Sequence, residues 1–328
     1  MRLAAETRSA GYHRLVRDRI GYLHVPKAAG TSISEALLRA ASTVVRDDGR
    51  PVTICPAVTD RSLFGTFDDF GSLAPDQQKM VFRGPIEQLA EFDVVRGHFD
   101  IRSLRAGRGD DDVAVLLREP RARLLSLYTY WRSWTEAEHA SWGNYDASRH
   151  AVRLGWVDFL HDTSIAAQID NVAARLVLRP HPLVPLDGFV AEAHVAEVTD
   201  DAIAALDGFG FVDVIENGPA CWRRLGEWAG LHLDVVPRNE TATEDHDREV
   251  WLGACEPPAL EALDRLTAID RRLWEAAARR HSDDAEDLTA RASAIAAAKF
   301  ASYGMRLPAA DERRRGWWRR VSRGRPSR

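Results

Sequence analysis

Residues 23–34 read LHVPKAAGTSIS, and the fold class follows from how this stretch is parsed. The apolar run IGYLHV (20–25) that leads into it has the length of a short buried strand. PKAAGT (26–31) is a loop of small residues, and SISEALLRAA (32–41) carries helical spacing. Strand, glycine-containing loop and helix thus follow one another directly. A helix N-terminus placed there offers unpaired backbone N–H groups and the positive end of the dipole, a ready anion site. Ser32 and Glu35 also have the S-x-x-E spacing of a capping box, which accounts for those two residues but not for Pro26 and Lys27. The stretch is not a Walker A loop, because GxxxxGK[ST] occurs nowhere in the chain.

Working outward, FDVVRGH (92–98), DVAVLLRE (112–119) and GFGFVDVIE (208–216) read as further short strands. Pro120 suits the first position of a helix after the third of these four strands, and GPACWRRLGEWAGL (218–231) reads as the helix after the fourth. Short apolar strands alternating with helices predict an α/β fold with a P-loop-like parallel sheet flanked by helices. Ligands of such sheets bind beyond the carboxyl ends of the strands. Residues 131–160, WRSWTEAEHASWGNYDASRHAVRLGWVDFL, are rich in Trp and polar residues without clean periodicity. They predict a helical or looped insertion beside the sheet, placed to close over a site. Residues 257–281 and the segment after them have helical spacing with i,i+4 charge pairing and read as C-terminal scaffold helices. The expected organisation is one domain over 1–308 and a basic, disordered tail over 309–328.

The chain has 328 residues, 45% hydrophobic and 28% charged, the composition of a folded globular protein. Its three cysteines, Cys55, Cys221 and Cys255, are widely spaced without a CxxC pair, which points to a reducing, cytoplasmic setting. No run of about 18 apolar residues is present to span a bilayer. The net charge of −5 hides an asymmetry: residues 313–328 hold eight Arg and no acid, leaving 49 acidic against 36 basic side chains in residues 1–312. That body, at −13, argues against nucleic acid as a partner. The tail, with Trp317 and Trp318 among its arginines, is expected either to remain disordered or to contact an anionic membrane peripherally.

Lys27 is one of only three lysines in a chain with 41 arginines. A generic surface cation here would have been arginine, so position 27 selects the compact ammonium, which can sit on one bridging oxygen where a guanidinium fork is wider and fixed in geometry. The second candidate segment is LLREPRARLLSLYTYWR (116–132). Arg118 falls at a strand end, and Ala122, Ser126 and Tyr130 share one i,i+4 row of the following helix, small and polar enough for a phosphate to approach. Together LHVPKAAGTS and LREPRARLLSLYTY resemble the 5′-phosphosulfate loop, xHxPKxxGTS, and the 3′-phosphate segment, LRxPxxRxxSxYxY, of sulfotransferases that use 3′-phosphoadenosine 5′-phosphosulfate (PAPS). The likeness is to the carbohydrate and Golgi-type branch and its bacterial relatives. GHF (97–99), DNVAARL (170–176) and FVDVIEN (211–217) add weaker landmarks. Glu119 stands where Asp or Asn is usual, and Ala28 and Ala29 where Thr or Gly is common.

The resemblance implies a sulfotransferase that moves the sulfuryl group of PAPS to a hydroxyl of a carbohydrate, glycolipid or related acceptor, releasing adenosine 3′,5′-bisphosphate, with no metal demanded. Lys27 would stabilise charge on the bridging oxygen. The backbone of Ala29, Gly30, Thr31 and Ser32 would hold the 5′-phosphate, and Arg118 and Ser126 the 3′-phosphate. In-line transfer of this kind rests on positioning and charge stabilisation, plus a general base for the acceptor hydroxyl. His98, at a strand end after Gly97, is the expected base, with His24 the poorer candidate because a residue just before the loop is expected to be packed away. The alternative reading is a nucleotide- or anion-binding α/β protein without sulfuryl chemistry.

Overall fold

The structure is a computed structural model that describes residues 17–46, 48–60, 70–143, 145–236, 256–281 and 287–305. Four parallel strands form the central sheet: β1 (Ile20–Leu23), β4 (Val94–Gly97), β5 (Val113–Leu117) and β6 (Phe211–Val214), in the order β4-β1-β5-β6. Two two-residue strands, β2 (Thr59–Asp60) and β3 (Val81–Phe82), pair separately and in parallel. Leu23 registers with Gly97 on one side and Val115 on the other, so β1 ends at the middle of the sheet. That puts the loop after β1 at the centre of the carboxyl edge.

Every residue of these four strands is buried, as their continuous apolar runs require of a sheet covered on both faces. On one face α1 (Gly30–Ala41) packs Ile33, Leu37 and Ala41 against Ile20, Tyr22, Val94, Ala114 and Leu116. The short helices α2 (Pro75–Gln78) and α3 (Ile101–Leu104) follow, and α4 (Pro120–Arg132) rises from the end of β5. The opposite face, carrying Leu23, Val95, Val113, Val115 and Val212, is covered by later helices.

The predicted insertion is three helices, α5 (Glu136–Ser141), α6 (Asp146–Arg153) and α7 (Trp156–His161). They pack on α4, and Trp131, Trp156 and Phe159 are buried with Leu124 and Tyr128 in a second core. Trp156, in the stretch expected to close over a site, is therefore a core residue, while Trp131 packs with Leu124, Leu127 and Tyr128 as one apolar face of α4, as their spacing predicts. Beyond them come α8 (Ala166–Ile169), α9 (Val172–Leu178), α10 (Val195–Asp207) and α11 (Pro219–Ala229), and then α12 (Pro257–Leu266), α13 (Ala268–Arg279) and α14 (Leu288–Met305).

The continuous helix suggested by residues 257–281 is broken at Thr267, and the DNVAARL landmark explains the break. Asn171, itself left-handed at φ 45°, accepts the Ile269 and Asp270 N–H groups on its Oδ1 at 2.9 and 3.2 Å. The Asp270 carboxylate in turn accepts from Ala173 N and Ala174 N at 3.0 and 2.9 Å. Each helix thus satisfies the orphan donors of the other, a reciprocal cap between α9 and α13.

The helix predicted from Ser32 starts two residues earlier, at Gly30, with left-handed Ala29 (φ 57°) as its N-cap. Ser32 therefore lies inside the first turn, and the capping box suggested by its spacing to Glu35 does not form. Glu35 pairs with Arg39 at 3.7 Å instead. No described helix is long and apolar enough to cross a membrane. The tail over 309–328 lies outside the described residues.

Candidate functional site

Two loops meet at the carboxyl edge, one after β1 and one after β5. In the first, Lys27 and Ala29 both adopt left-handed backbone, at φ 67° and 57°, conformations that non-glycine residues take up rarely. Strain of this kind persists only where the surroundings hold it. Here Arg118, at the end of β5, donates through Nη1 to the Lys27 carbonyl at 2.8 Å. This hydrogen bond joins the two segments picked out in the sequence.

Helix α1 has no side-chain cap and no acidic residue in its first turn. Its first N–H groups, from Gly30, Thr31 and Ser32, thus keep the full positive character of a helix start. Gly30 is required for a separate reason. A Cβ there would lie 1.6 Å from the His24 ring, so only glycine lets that imidazole pack beneath the loop.

Lys27 is half-buried, and its ammonium lies over the Tyr130 ring of α4, 3.8 Å from the centroid. Removal from water, then the charges of Arg118 and of Lys299 on α14, push its pKa down to about 7. Among the described residues neither Lys27 nor Arg118 forms an ion pair. Arg123, one turn into α4 and 2% exposed, donates its backbone N–H to Glu119 O, but its guanidinium makes no hydrogen bond and its buried Nε and Nη1 have no partner. Burial first, opposed by Asp270 and then reinforced by Arg118, brings its pKa down to about 10. Arg96 in β4 also has buried, unpartnered Nε and Nη1, but it belongs to the α1-covered face and acts on His24. Ser126 lies on the same side of α4 as Arg123 and is 4% exposed; its hydroxyl makes no hydrogen bond among the described residues.

Burying an unpaired guanidinium costs several kcal/mol unless an anion joins it. Lys27 and Arg118, neither of them in an ion pair, meet beside an uncapped helix start, while Arg123 lies farther along α4 under the influence of Asp270 and Arg118. The arrangement fits a multiply charged anion with more than one acidic group. Arg123 was missed in the sequence, although Arg123, Ser126 and Tyr130 stand at i, i+3 and i+7 and so share one helix face.

His98 follows Gly97, whose φ of 132° is open only to glycine and whose Cβ, if present, would meet the Val58 carbonyl at 2.1 Å. The backbone of His98 is pinned on both sides, donating to Val58 O at 2.8 Å and accepting from Asp60 N at 3.0 Å. Its ring stacks on His24, with centroids 3.9 Å apart. His98 Nδ1 donates to the His24 carbonyl at 3.0 Å, which fixes the tautomer and leaves Nε2 as an acceptor. Burial, with a smaller push from Lys27, lowers the His98 pKa to about 4 against the opposing effect of that hydrogen bond. The His24 pKa is also well below its ordinary value, through burial first and then His98, Lys27 and Arg96. His24 is packed, as expected, but beneath the loop rather than under the sheet.

Aromatic contacts lead from this site into the insertion. Tyr130 meets Trp134 edge-on at 5.6 Å, and Trp134 meets His139 at 5.4 Å. His150, Asp162 and Ser164 form a Ser/His/Asp group elsewhere in it, but Ser164 donates to Asp162 and both approach the same His150 nitrogen. No nucleophile relay arises there, since in a relay the base and its orienter use opposite ring nitrogens. Among the described residues, no three His, Cys, Asp or Glu side chains converge as a metal group.

No protein-family model matches this chain, and no curated protein matches it.

Proposed function

We propose that the protein is a PAPS-dependent sulfotransferase with a P-loop-like donor site at the carboxyl edge of its sheet, acting on a hydroxyl of a carbohydrate, glycolipid or related acceptor. The observation that carries this reading is the junction of Lys27 and Arg118, neither in an ion pair, beside the uncapped start of α1. PAPS bears a 5′-phosphosulfate and a 3′-phosphate, and this reading assigns donors to each of the two anionic groups. The N–H groups of Gly30, Thr31 and Ser32, the backbone of Ala29 and the Lys27 ammonium would hold the first. Arg118 and Ser126, with Arg123 behind them, would hold the second.

The donor supplies an activated sulfuryl group; the protein's own residues neutralise charge and manage one proton. Lys27 stabilises the bridging oxygen as the bond to the leaving phosphate breaks. His98 Nε2 accepts the proton of the acceptor hydroxyl as its oxygen bonds to sulfur. On this reading the acceptor hydroxyl would approach His98 Nε2, the ring nitrogen that does not bond the His24 carbonyl. The competing reading, an anion-binding protein without transfer, draws on the low basicity of His98. A dianionic donor beside the stacked imidazoles raises that basicity, which favours transfer. Peripheral contact of the arginine-rich tail with anionic membrane belongs to the same proposal.

The test is incubation with PAPS labelled in the sulfuryl group, with polysaccharide, glycolipid and small-molecule acceptor fractions. Label appearing in an acceptor with stoichiometric release of adenosine 3′,5′-bisphosphate supports the proposal. Tight binding of that bisphosphate with no transfer to any fraction leaves the binding protein in its place.

A further inference from the structure

Lys27 is held at both ends. At the backbone its φ of 67° is left-handed, and its carbonyl accepts from Arg118 Nη1 at 2.8 Å. At the far end the ammonium lies over the face of the Tyr130 ring, 3.8 Å from the centroid. Arg118 follows β5 directly, and Tyr130 is in the last turn of α4, so a single strand–helix unit grips the lysine of the neighbouring loop.

The Tyr130 ring is itself fixed in orientation. Trp134, just beyond α4, meets it at 5.6 Å with the two planes at 84°, the T-shaped arrangement that aromatic quadrupoles favour. Trp134 packs in turn at 5.4 Å on His139 of α5, which is buried and bonded through Nδ1 to Ser148 Oγ of α6 at 2.9 Å. Two helices of the insertion thus set the ring on which Lys27 rests. The negative ring face attracts an ammonium, most strongly where water is partly excluded, and Lys27 is half-buried. That attraction opposes burial, Arg118 and Lys299, the influences that disfavour the charged form. It also differs from an ion pair. A carboxylate at this place would hold the lysine by neutralising it and would compete with any anion that arrived, whereas a ring holds the cation and leaves its charge in full.

We propose that Tyr130 is a positioning residue of the donor site: its ring face holds the Lys27 ammonium in the empty protein, so that an arriving phosphosulfate group meets a cation already placed. This assignment rests on the donor-site reading above and deepens it. Tyr130 touches no reacting atom and acts only through Lys27. A lysine side chain otherwise spreads over many rotamers, and ordering it at the moment of binding would reduce affinity. Fixing the backbone end through Arg118 and the ammonium end through Tyr130 settles that cost during folding.

The experiment places phenylalanine and its mono-, di- and trifluorinated forms at position 130, alongside Tyr130→Leu. Fluorine withdraws charge from the ring face while keeping the shape of the ring, so the series stays informative even where Tyr130→Leu fails to fold. With only three lysines in the chain, carbon-13-labelled lysine gives one side-chain signal for each, and NMR of the ligand-free protein reads the ring-current displacement and the titration of Lys27. Calorimetry with adenosine 3′,5′-bisphosphate at pH 8 reads affinity. The parent and Tyr130→Phe should both show a displaced Lys27 signal that titrates near about 7. Successive fluorines should lower that midpoint and weaken the bisphosphate in the same order. Tyr130→Leu should lose the displacement and bind about three- to thirtyfold more weakly. The other groups that face Lys27 or the histidines beside it, Arg118 from β5, Lys299 from α14, His24 and His98, are unaltered throughout. A midpoint and affinity that stay constant across the fluorinated series would overturn the assignment, as would Tyr130→Phe binding as weakly as Tyr130→Leu. A midpoint that moves while affinity does not would show a ring that touches the lysine without placing it for the anion, and would overturn it too. A parent protein that binds no bisphosphate, while the fluorinated series still moves the midpoint, would overturn the donor-site reading and leave only the coupling of Lys27 to Tyr130.

Discussion

If the proposed donor site binds an anionic nucleotide, Lys27 should make the affinity depend on pH in a direction opposite to that of the nucleotide's own titration. In the free protein its pKa is near 7, because burial and the charges of Arg118 and Lys299 disfavour the ammonium. A phosphate placed beside it restores the ammonium and moves the pKa back toward the ordinary lysine range near 10.4. Binding between these two values must then take up a proton. The sign follows: affinity is greatest when Lys27 is already protonated, below about pH 7, and falls as pH rises through and above the free-protein value. With one linked site, affinity for adenosine 3′,5′-bisphosphate should be about fiftyfold lower at pH 9 than at pH 7, about 2.3 kcal/mol.

The assay is isothermal titration calorimetry at pH 7, 8 and 9 in buffers with different ionisation enthalpies, which also counts protons. Near pH 8 uptake should approach about one proton per nucleotide. Phosphate groups, with second pKa values near 6, are fully charged throughout this range. His98, near 4, is neutral throughout, as is His24. In Lys27→Arg the guanidinium stays charged, so the pH dependence should vanish even if binding is retained. Flat affinity from pH 7 to 9 in the parent protein, or the same slope in Lys27→Arg, would refute the account.

Arg118→Ala and Ser126→Ala should each weaken bisphosphate binding by about 10- to 150-fold, the value of a charge-assisted hydrogen bond, as titration calorimetry would show. Unchanged affinity in both would remove α4 from the donor site. His98→Ala should leave bisphosphate affinity intact and lower turnover by about 10²- to 10⁴-fold. The parent's kcat/KM should lose its acidic limb only as pH falls toward about 4, not through the ordinary histidine range, because the neutral imidazole persists down to that value. Gly30→Ala forces a methyl into the His24 ring, so it should impair bisphosphate binding and turnover together, with a lower melting temperature. Asn171→Ala removes the acceptor for Ile269 N and Asp270 N, and should cost about 1–3 kcal/mol in chemical denaturation while leaving bisphosphate affinity unchanged.

The β1–loop–α1 and β5–α4 units could be read from sequence because strands buried on both faces leave uninterrupted apolar runs, IGYLHV and DVAVLLRE, and Pro120 marks a helix start. The start of α1 was less legible. Its N-cap is a left-handed alanine, a conformation for which glycine or asparagine is the usual signal, so the pattern pointed to Ser32. Composition also misplaced Trp156 of the insertion, since a Trp that fills a core and one that lines a site have the same letter. It fills the core around Tyr128, where the helical spacing of Trp131 with Leu124, Leu127 and Tyr128 had already put Trp131. Arg123 was hidden for another reason: what distinguishes it is the absence of a partner for its buried Nε and Nη1, a property of tertiary contacts.

The selection of lysine at position 27 then has a physical account beyond the size of its ammonium. Arg118 and Lys299 are the two cations whose charges bear on Lys27. A third permanent cation beside them would add repulsion in the empty protein. A lysine whose pKa is near 7 releases its proton when the site is empty and regains it when an anion arrives. The left-handed backbone at Lys27 and the Arg118 hydrogen bond to its carbonyl can therefore hold the loop in its binding geometry without the full cost of a third fixed charge. An arginine at the same position would carry that charge in both states, so Lys27→Arg should lower the stability of the free protein and restore it on addition of bisphosphate. Thermal melts with and without the nucleotide read this directly: an equal melting temperature for the two free proteins would show that the site tolerates three fixed cations and that proton release contributes nothing.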